Sequence, residues 1–104
     1  MIDVLDSIET WRREGQRVAI ATVVATEQSA PREPGASLAV NERGDVAGSV
    51  SGGCVESAVY DEAQDAIASG RPRLVTYGIS DADAISVGLT CGGTIHVFIE
   101  PLDW

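Results

Sequence analysis

"RVAIATVVATE", Arg17 to Glu27, decides the fold. Ala19, Ala21, Val23 and Ala25 alternate with Val18, Ile20 and Val24, so the stretch is apolar on both faces. A strand with one wet face would carry a polar residue at every second position. This one needs cover on both sides, which predicts a central strand of a sheet that has helices packed on it.

The flanking segments supply that cover. Val4, Leu5, Ile8 and Trp11 recur at helical spacing, Asp3 and Asp6 lie near the start, and Gly15 closes the run. This predicts an amphipathic helix of about three turns. On the other side, "SLAV" and "VAGSV" flank "NERGD", whose Asn and Gly suit a turn, and predict a β-hairpin. From Val55 the apolar positions are Val55, Ala58, Val59, Ala63, Ala66 and Ile67, a second helical stripe ended by Gly70 and Pro72. "RLVTYG" and "TIHVFIE" read as two further strands, with Ile95, Val97 and Ile99 turned inward and His96 on the opposite face. The predicted fold is an α/β layer arrangement of the α+β kind. A mixed sheet of about five strands carries two main helices, in one domain over residues 1–104.

Composition narrows the function. The 104 residues have a net charge of −9, with seven arginines, no lysine and sixteen acids. That field repels phosphate backbones and anionic membrane surfaces, which argues against nucleic-acid binding. Without lysine there is neither a lysine Schiff base nor a P-loop lysine. No apolar run is long enough for a membrane span, and the acidic N-terminus is no signal peptide, so a cytoplasmic protein is expected. Two cysteines outside any C-x-x-C pair supply neither a disulfide framework nor a structural zinc site.

Three Gly- or Pro-rich segments carry what chemistry there is. "SVSGGCVESAV" leaves a strand and enters a helix. Gly52 and Gly53 let the backbone approach a ligand, the helix start offers free N–H groups, and Cys54 sits where that field favours thiolate. The alternative is a tight turn followed by a small buried residue. Glu56 has an ordinary helix-dipole role available. "GLTCGGT" places Cys91 before Gly92 and Gly93 at the entry of a strand, where a bulge is the plain alternative. "EQSAPREPGAS" holds Arg32 between Pro31 and Pro34, stiff enough for bidentate binding of an anion, with Gln28 and Ser29 as neutral donors. An arginine paired with Glu33 on the surface is the alternative there. Asp81 and Asp83 lack the rest of an EF-hand and read as capping carboxylates. His96 reads as a solvated or capping histidine.

"SAPREPGASLAV", "GSVSGGCVESAV" and "YGISDADAISVGLTCGGTIHVFIEPL" together resemble the N-terminal domain of the XdhC/CoxI family of xanthine dehydrogenase accessory factors, in unbroken order through the chain. The resemblance implies a non-enzymatic maturation factor, with no catalytic residue. Such a factor binds molybdenum cofactor (molybdopterin) transiently as cargo, assists its sulfuration by a cysteine desulfurase, and delivers it to a molybdenum hydroxylase of the xanthine or CO dehydrogenase type. The matching motifs contain Ser29, Pro31, Arg32, Gly35, Gly52, Gly53, Cys54, Glu56, Cys91, Gly92 and Gly93. Of these, Ser29, Arg32, Gly52, Gly53, Cys54, Cys91, Gly92 and Gly93 are the expected cofactor-binding set, with Cys54 and Cys91 as the sulfurs that would face molybdenum. Many family members continue into a C-terminal Rossmann-like domain; this sequence stops at "EPLDW", where that would begin, and is expected to be either a stand-alone small subunit or a degenerate or truncated form. A separate Rossmann-like partner chain or a homo-oligomer would then complete the site. Two other readings stand beside this one: a protein that docks a partner maturation factor without holding cofactor, and a thiol protein that transfers sulfur.

Overall fold

The computed structural model of the chain describes residues 2–27, 35–50, 56–78 and 94–102. Helix α1 (Ile2–Arg13) leads into strand β1 (Val18–Glu27), followed by the hairpin β2 (Ser37–Asn41) and β3 (Val46–Gly48). Helix α2 (Glu56–Ser69), β4 (Arg73–Gly78) and β5 (Thr94–Leu102) follow among the described residues. The five strands form one sheet in the order β3-β2-β1-β5-β4, with β1 in the middle as its two apolar faces require. Every pairing is antiparallel, so the mixed sheet expected from sequence resolves into an antiparallel one with an α+β fold.

The helices divide the two faces. Helix α2 lies over β5, β1 and β2. Its Val59, Ala63, Ala66 and Ile67 bury with Ala19, Ala21, Val23, Leu38, Val40, Ile95, Val97 and Ile99. Helix α1 covers the other face at β1–β3, packing Val4, Ile8 and Trp11 against Val18, Ile20 and Ala39. Two predicted core positions turn outward: Leu5 is 49% exposed and Ala58 is exposed, because each lies at the margin of its helix's apolar stripe.

Both helices stop as their glycines dictate. Gly15 (φ 76°) donates to Arg12 O at 3.0 Å and Gln16 N to Trp11 O at 2.9 Å, the paired bonds of a Schellman cap. Gly70 (φ 71°) donates to Ala66 O at 2.8 Å in the simpler left-handed cap.

Strand β1 departs from simple alternation near its end. Val23 pairs with Val97, but Ala25 rather than Val24 pairs with His96, so a bulge falls between Val23 and Ala25. Beyond it Thr26, not Ala25, is opposite the buried Ile95, and Val24 is 49% exposed. An extra residue in one strand exchanges the faces of everything after it.

Candidate functional site

Register fixes which ends of the strands meet. Thr94 pairs with both Glu27 and Gly78, so the end of β1, the start of β5 and the end of β4 form one row. The start of β2 and the end of β3 point the same way: Ser37 pairs with Thr22, Gly48 with Leu38, and Ser49 N donates to Ser37 O at 2.9 Å. This end of the sheet is stepped, high at β1, β5 and β4 and lower at β2 and β3. The chain leaves the described structure at Glu27, Val50 and Gly78 and re-enters it at Gly35, Glu56 and Thr94, always at this end. Its opposite end holds the α1–β1, β2–β3 and α2–β4 connections.

All eight expected binding residues belong to the three segments that depart from this end. Ser29 and Arg32, then Gly52, Gly53 and Cys54, then Cys91, Gly92 and Gly93 lie outside the described residues, as do Gln28, Pro31, Pro34, Val55, Asp81 and Asp83. Three segments dispersed in sequence therefore depart from the same end of the sheet.

Among the described residues at this end, Glu56 is the most constrained polar group. From the first residue of α2 its Oε2 accepts from Ser49 Oγ and from Val50 N, each at 2.8 Å. Val50 is wholly buried in the core under α2. The carboxylate thus joins the two ends of the 51–55 segment. Sequence reasoning left Glu56 with only a dipole role; a contact made six and seven residues back depends on tertiary placement of β3 and has no local signature.

Beside Glu56, a shallow hollow of about 350 Å³ runs between the hairpin and the first turns of α2, lined by Leu38, Val46, Glu56, Ser57, Tyr60 and Asp61. Tyr77, next to the exit at Gly78, buries its hydroxyl without a hydrogen-bond partner among the described residues. Burial, and secondarily the charge of Glu62, push its pKa up to about 12. His96 lies on the face predicted for it, with Nδ1 at 2.9 Å from Thr76 Oγ1. No group of three or more His, Cys, Asp or Glu among the described residues could hold a metal ion.

The arginines are strongly segregated. Arg12 and Arg13 end α1, Arg17 precedes β1, Arg43 sits in the β2–β3 turn, and Arg71 and Arg73 lie at the start of β4. These six cluster at the far end of the sheet, where several have local partners. Arg13 pairs with Glu9 at 2.6 Å, Arg17 donates to Ile67 O, and Arg73 binds Glu62 at 2.9 Å and also Asp65. Hydrogen bonding to Glu62, then to Asp65, raises the Arg73 pKa. Arg32, the seventh, belongs to a segment anchored at the loop end. Nine steps of about 3.3 Å put the two ends of β1 ~30 Å apart, whereas four steps along β2 put the β2–β3 turn, with Arg43, only ~13 Å from the lower step at Ser37.

A model of the XdhC and CoxI family matches residues 11–78. The chain belongs to the XdhC and CoxI family. Within this family, it is 38% identical over 88 residues to the molybdenum cofactor insertion chaperone PaoD of Escherichia coli, covering 85% of this chain and 27% of that protein. It is 34% identical over 95 residues to a probable xanthine dehydrogenase subunit of Bacillus subtilis, covering 89% and 29%. The crystal structure of a xanthine dehydrogenase from Bacillus halodurans superposes with a TM-score of 0.79 at 36% identity, over 94% of this chain and 30% of that one. This XdhC/CoxI domain thus spans less than a third of each of these relatives. No helix among its described residues is long and apolar enough to cross a membrane.

Proposed function

We propose that this XdhC/CoxI domain holds molybdenum cofactor at the loop end of its sheet and takes part in passing it to a molybdenum hydroxylase. The observation that carries the reading is the convergence of the three motif segments on one sheet end, together with Arg32 as the cation tethered there. A cofactor with a phosphate, a polar pterin and a dithiolene-bound metal asks for anion donors and for soft sulfur. In a chain of net charge −9, Arg32 is the one arginine that the motif segments themselves carry. Arg32 and the N–H groups about Gly52 and Gly53 fit it, and Cys54 and Cys91 fit the second.

Covalent reach supports a common site. Ser29 is two residues beyond Glu27 and Cys91 three before Thr94, so their Cα atoms stay within about 7 Å and about 11 Å of a single strand pair. Ser29, Gly92 and Gly93 would supply neutral donors and close backbone approach at that row. The bound group would bring the metal and its sulfur chemistry; this chain would orient it and shield it from water. The similarity to PaoD, named as a cofactor insertion chaperone, favours an accessory role over an enzymatic one. Sulfuration by a cysteine desulfurase, a cytoplasmic setting, and completion of the site by a Rossmann-like chain or by a second copy belong to the same proposal.

Co-expression with cofactor biosynthesis tests it. The purified domain should carry molybdenum and pterin, the latter measured as its fluorescent oxidised derivative. Cys54→Ser and Cys91→Ser should each lower the retained cofactor or the hydroxylase activity it supports. Full retention and full support in both variants would remove sulfur from the account, and no pterin on the unaltered protein would remove the cofactor.

A further inference from the structure

We propose that β4 is a pairing edge for a second copy of this chain, the two β4 strands running antiparallel about a two-fold axis at Leu74. The sheet has two edge strands, β3 and β4, and they are protected very differently. Unpaired N–H and C=O groups along an edge accept another strand unless shortness, proline, lysine or a bulge prevents it. Strand β3 is three residues long, ends at Gly48 with φ 87°, and has α1 packed against it. Strand β4 has none of these devices. Its six residues hold unbroken register with β5, and Pro72 precedes them. The charge it carries, Arg73, turns back to Glu62 and Asp65 of α2.

The sheet face beside this edge is open as well. Helix α1 covers β1, β2 and β3, and α2 packs on the other face, over Ile95, Val97 and Ile99. That leaves Leu74, 63% exposed, and its cross-strand partner Phe98 on the side away from α2. Pairing about Leu74 brings the two Leu74 side chains together at the axis with a Phe98 ring outside each, one apolar row of four.

Charge complementarity makes a second copy the fitting occupant. On the α2 side, Glu62 and Asp65 share Arg73, so acid is in surplus there. Arg71, exposed just before the strand, has no ion pair among the described residues. Antiparallel pairing about Leu74 sets Arg71 of each copy opposite Tyr77 of the other, beside Glu62, whose charge already acts on Tyr77. One edge thus carries both halves of the match, and the two-fold axis uses each twice. A contact of six residues, about 20 Å long, is at the small end of stable interfaces, so the dimer is reversible. The two β4 strands run oppositely, which leaves both loop ends open to a further chain. The pairing stands independently of the function proposed above.

Analytical ultracentrifugation of the full chain under reducing conditions, from about 1 µM to about 1 mM, tests it. The protein should form dimers within that range and nothing larger. Leu74→Lys should raise the Kd at least about tenfold, because it replaces the apolar pair at the axis by two like charges. Val46→Lys adds the same charge at the β3 edge, where Val46 is 49% exposed, and should change the Kd less than about twofold. Monomer at every concentration, an assembly larger than a dimer, or similar effects of the two substitutions would overturn the interface. Hydrogen exchange on the unaltered protein gives a readout that needs no variant to fold. Amides of β4 that are not bonded to β5 should slow about tenfold or more across the range, and those of β3 should not change. Protection of β4 that ignores concentration would mean that the chain covers its own edge, and the proposal fails.

Discussion

At Tyr77 the hydroxyl lies buried without a hydrogen-bond partner among the described residues, while the ring packs against the core beneath α2. Burial and the nearby Glu62 charge keep its proton on up to about pH 12, against 10.0 for a free side chain. Between those values the unfolded chain releases this proton and the folded one keeps it, so stability falls as pH rises through the interval. Tyr77→Phe should abolish that part of the alkaline decline. At neutral pH the variant should be unchanged or up to ~1 kcal/mol more stable, because an unmatched hydroxyl is removed. Urea denaturation of both proteins between pH 8 and about 11.5 checks the outcome; an identical decline in the two would count against it. Neither this hydroxyl nor the contact of Glu56 with Ser49 and Val50 is legible in the sequence. A tyrosine ending "RLVTYG" and a glutamate opening a helix are ordinary residues there, and only tertiary placement gives them their surroundings. His96 was legible because strand alternation alone puts it opposite Ile95 and Val97.

At the scale of elements, the reading from sequence succeeds wherever a period is long and clean. Strand β1 is central because both of its faces are apolar, and α2 runs to Gly70 because its stripe does. It fails where one residue or one distant partner intervenes. The bulge at Val24 has no Gly or Pro to mark it, and the insertion of β5 between β1 and β4 is set by packing across the sheet. The contact of α2 with the sheet shows how tight that packing is. Ala63 and Ala66 have no exposed surface, and small side chains there let the helix approach the strands closely. Ala63→Leu should therefore destabilise the domain by about 1–3 kcal/mol through overpacking, although leucine is a good helix former. Ala58→Leu, at an exposed position of the same helix, should stay within about 0.5 kcal/mol of the unaltered protein. Chemical denaturation at constant m-value distinguishes these, and equal effects at the two positions would refute the close contact.

For the molecule as a whole, the distribution of charge makes the sharpest claim about function. Six arginines sit at the end of the sheet away from the motif segments, and Arg32 is joined to the end that carries them. Neither composition nor motif spacing reveals this division, because it follows from the antiparallel register that aligns the strand ends. If the bound cofactor's phosphate is met at the loop end, Arg32→Ala should lower pterin retained on co-expression by at least about tenfold, the loss expected for a charge-assisted pair. Arg71→Ala removes the same unit of charge from an exposed position at the other end, ~20 Å from the start of α2 by the length of that helix. It should leave retention unchanged at physiological salt, where charges that far apart are screened. Arg32→Lys keeps the charge but gives up the planar fork, so an intermediate loss would identify bidentate recognition and full retention would identify simple attraction. Equal losses in Arg32→Ala and Arg71→Ala would instead point to the net field of the protein, and the assignment of the phosphate to the loop end would fail.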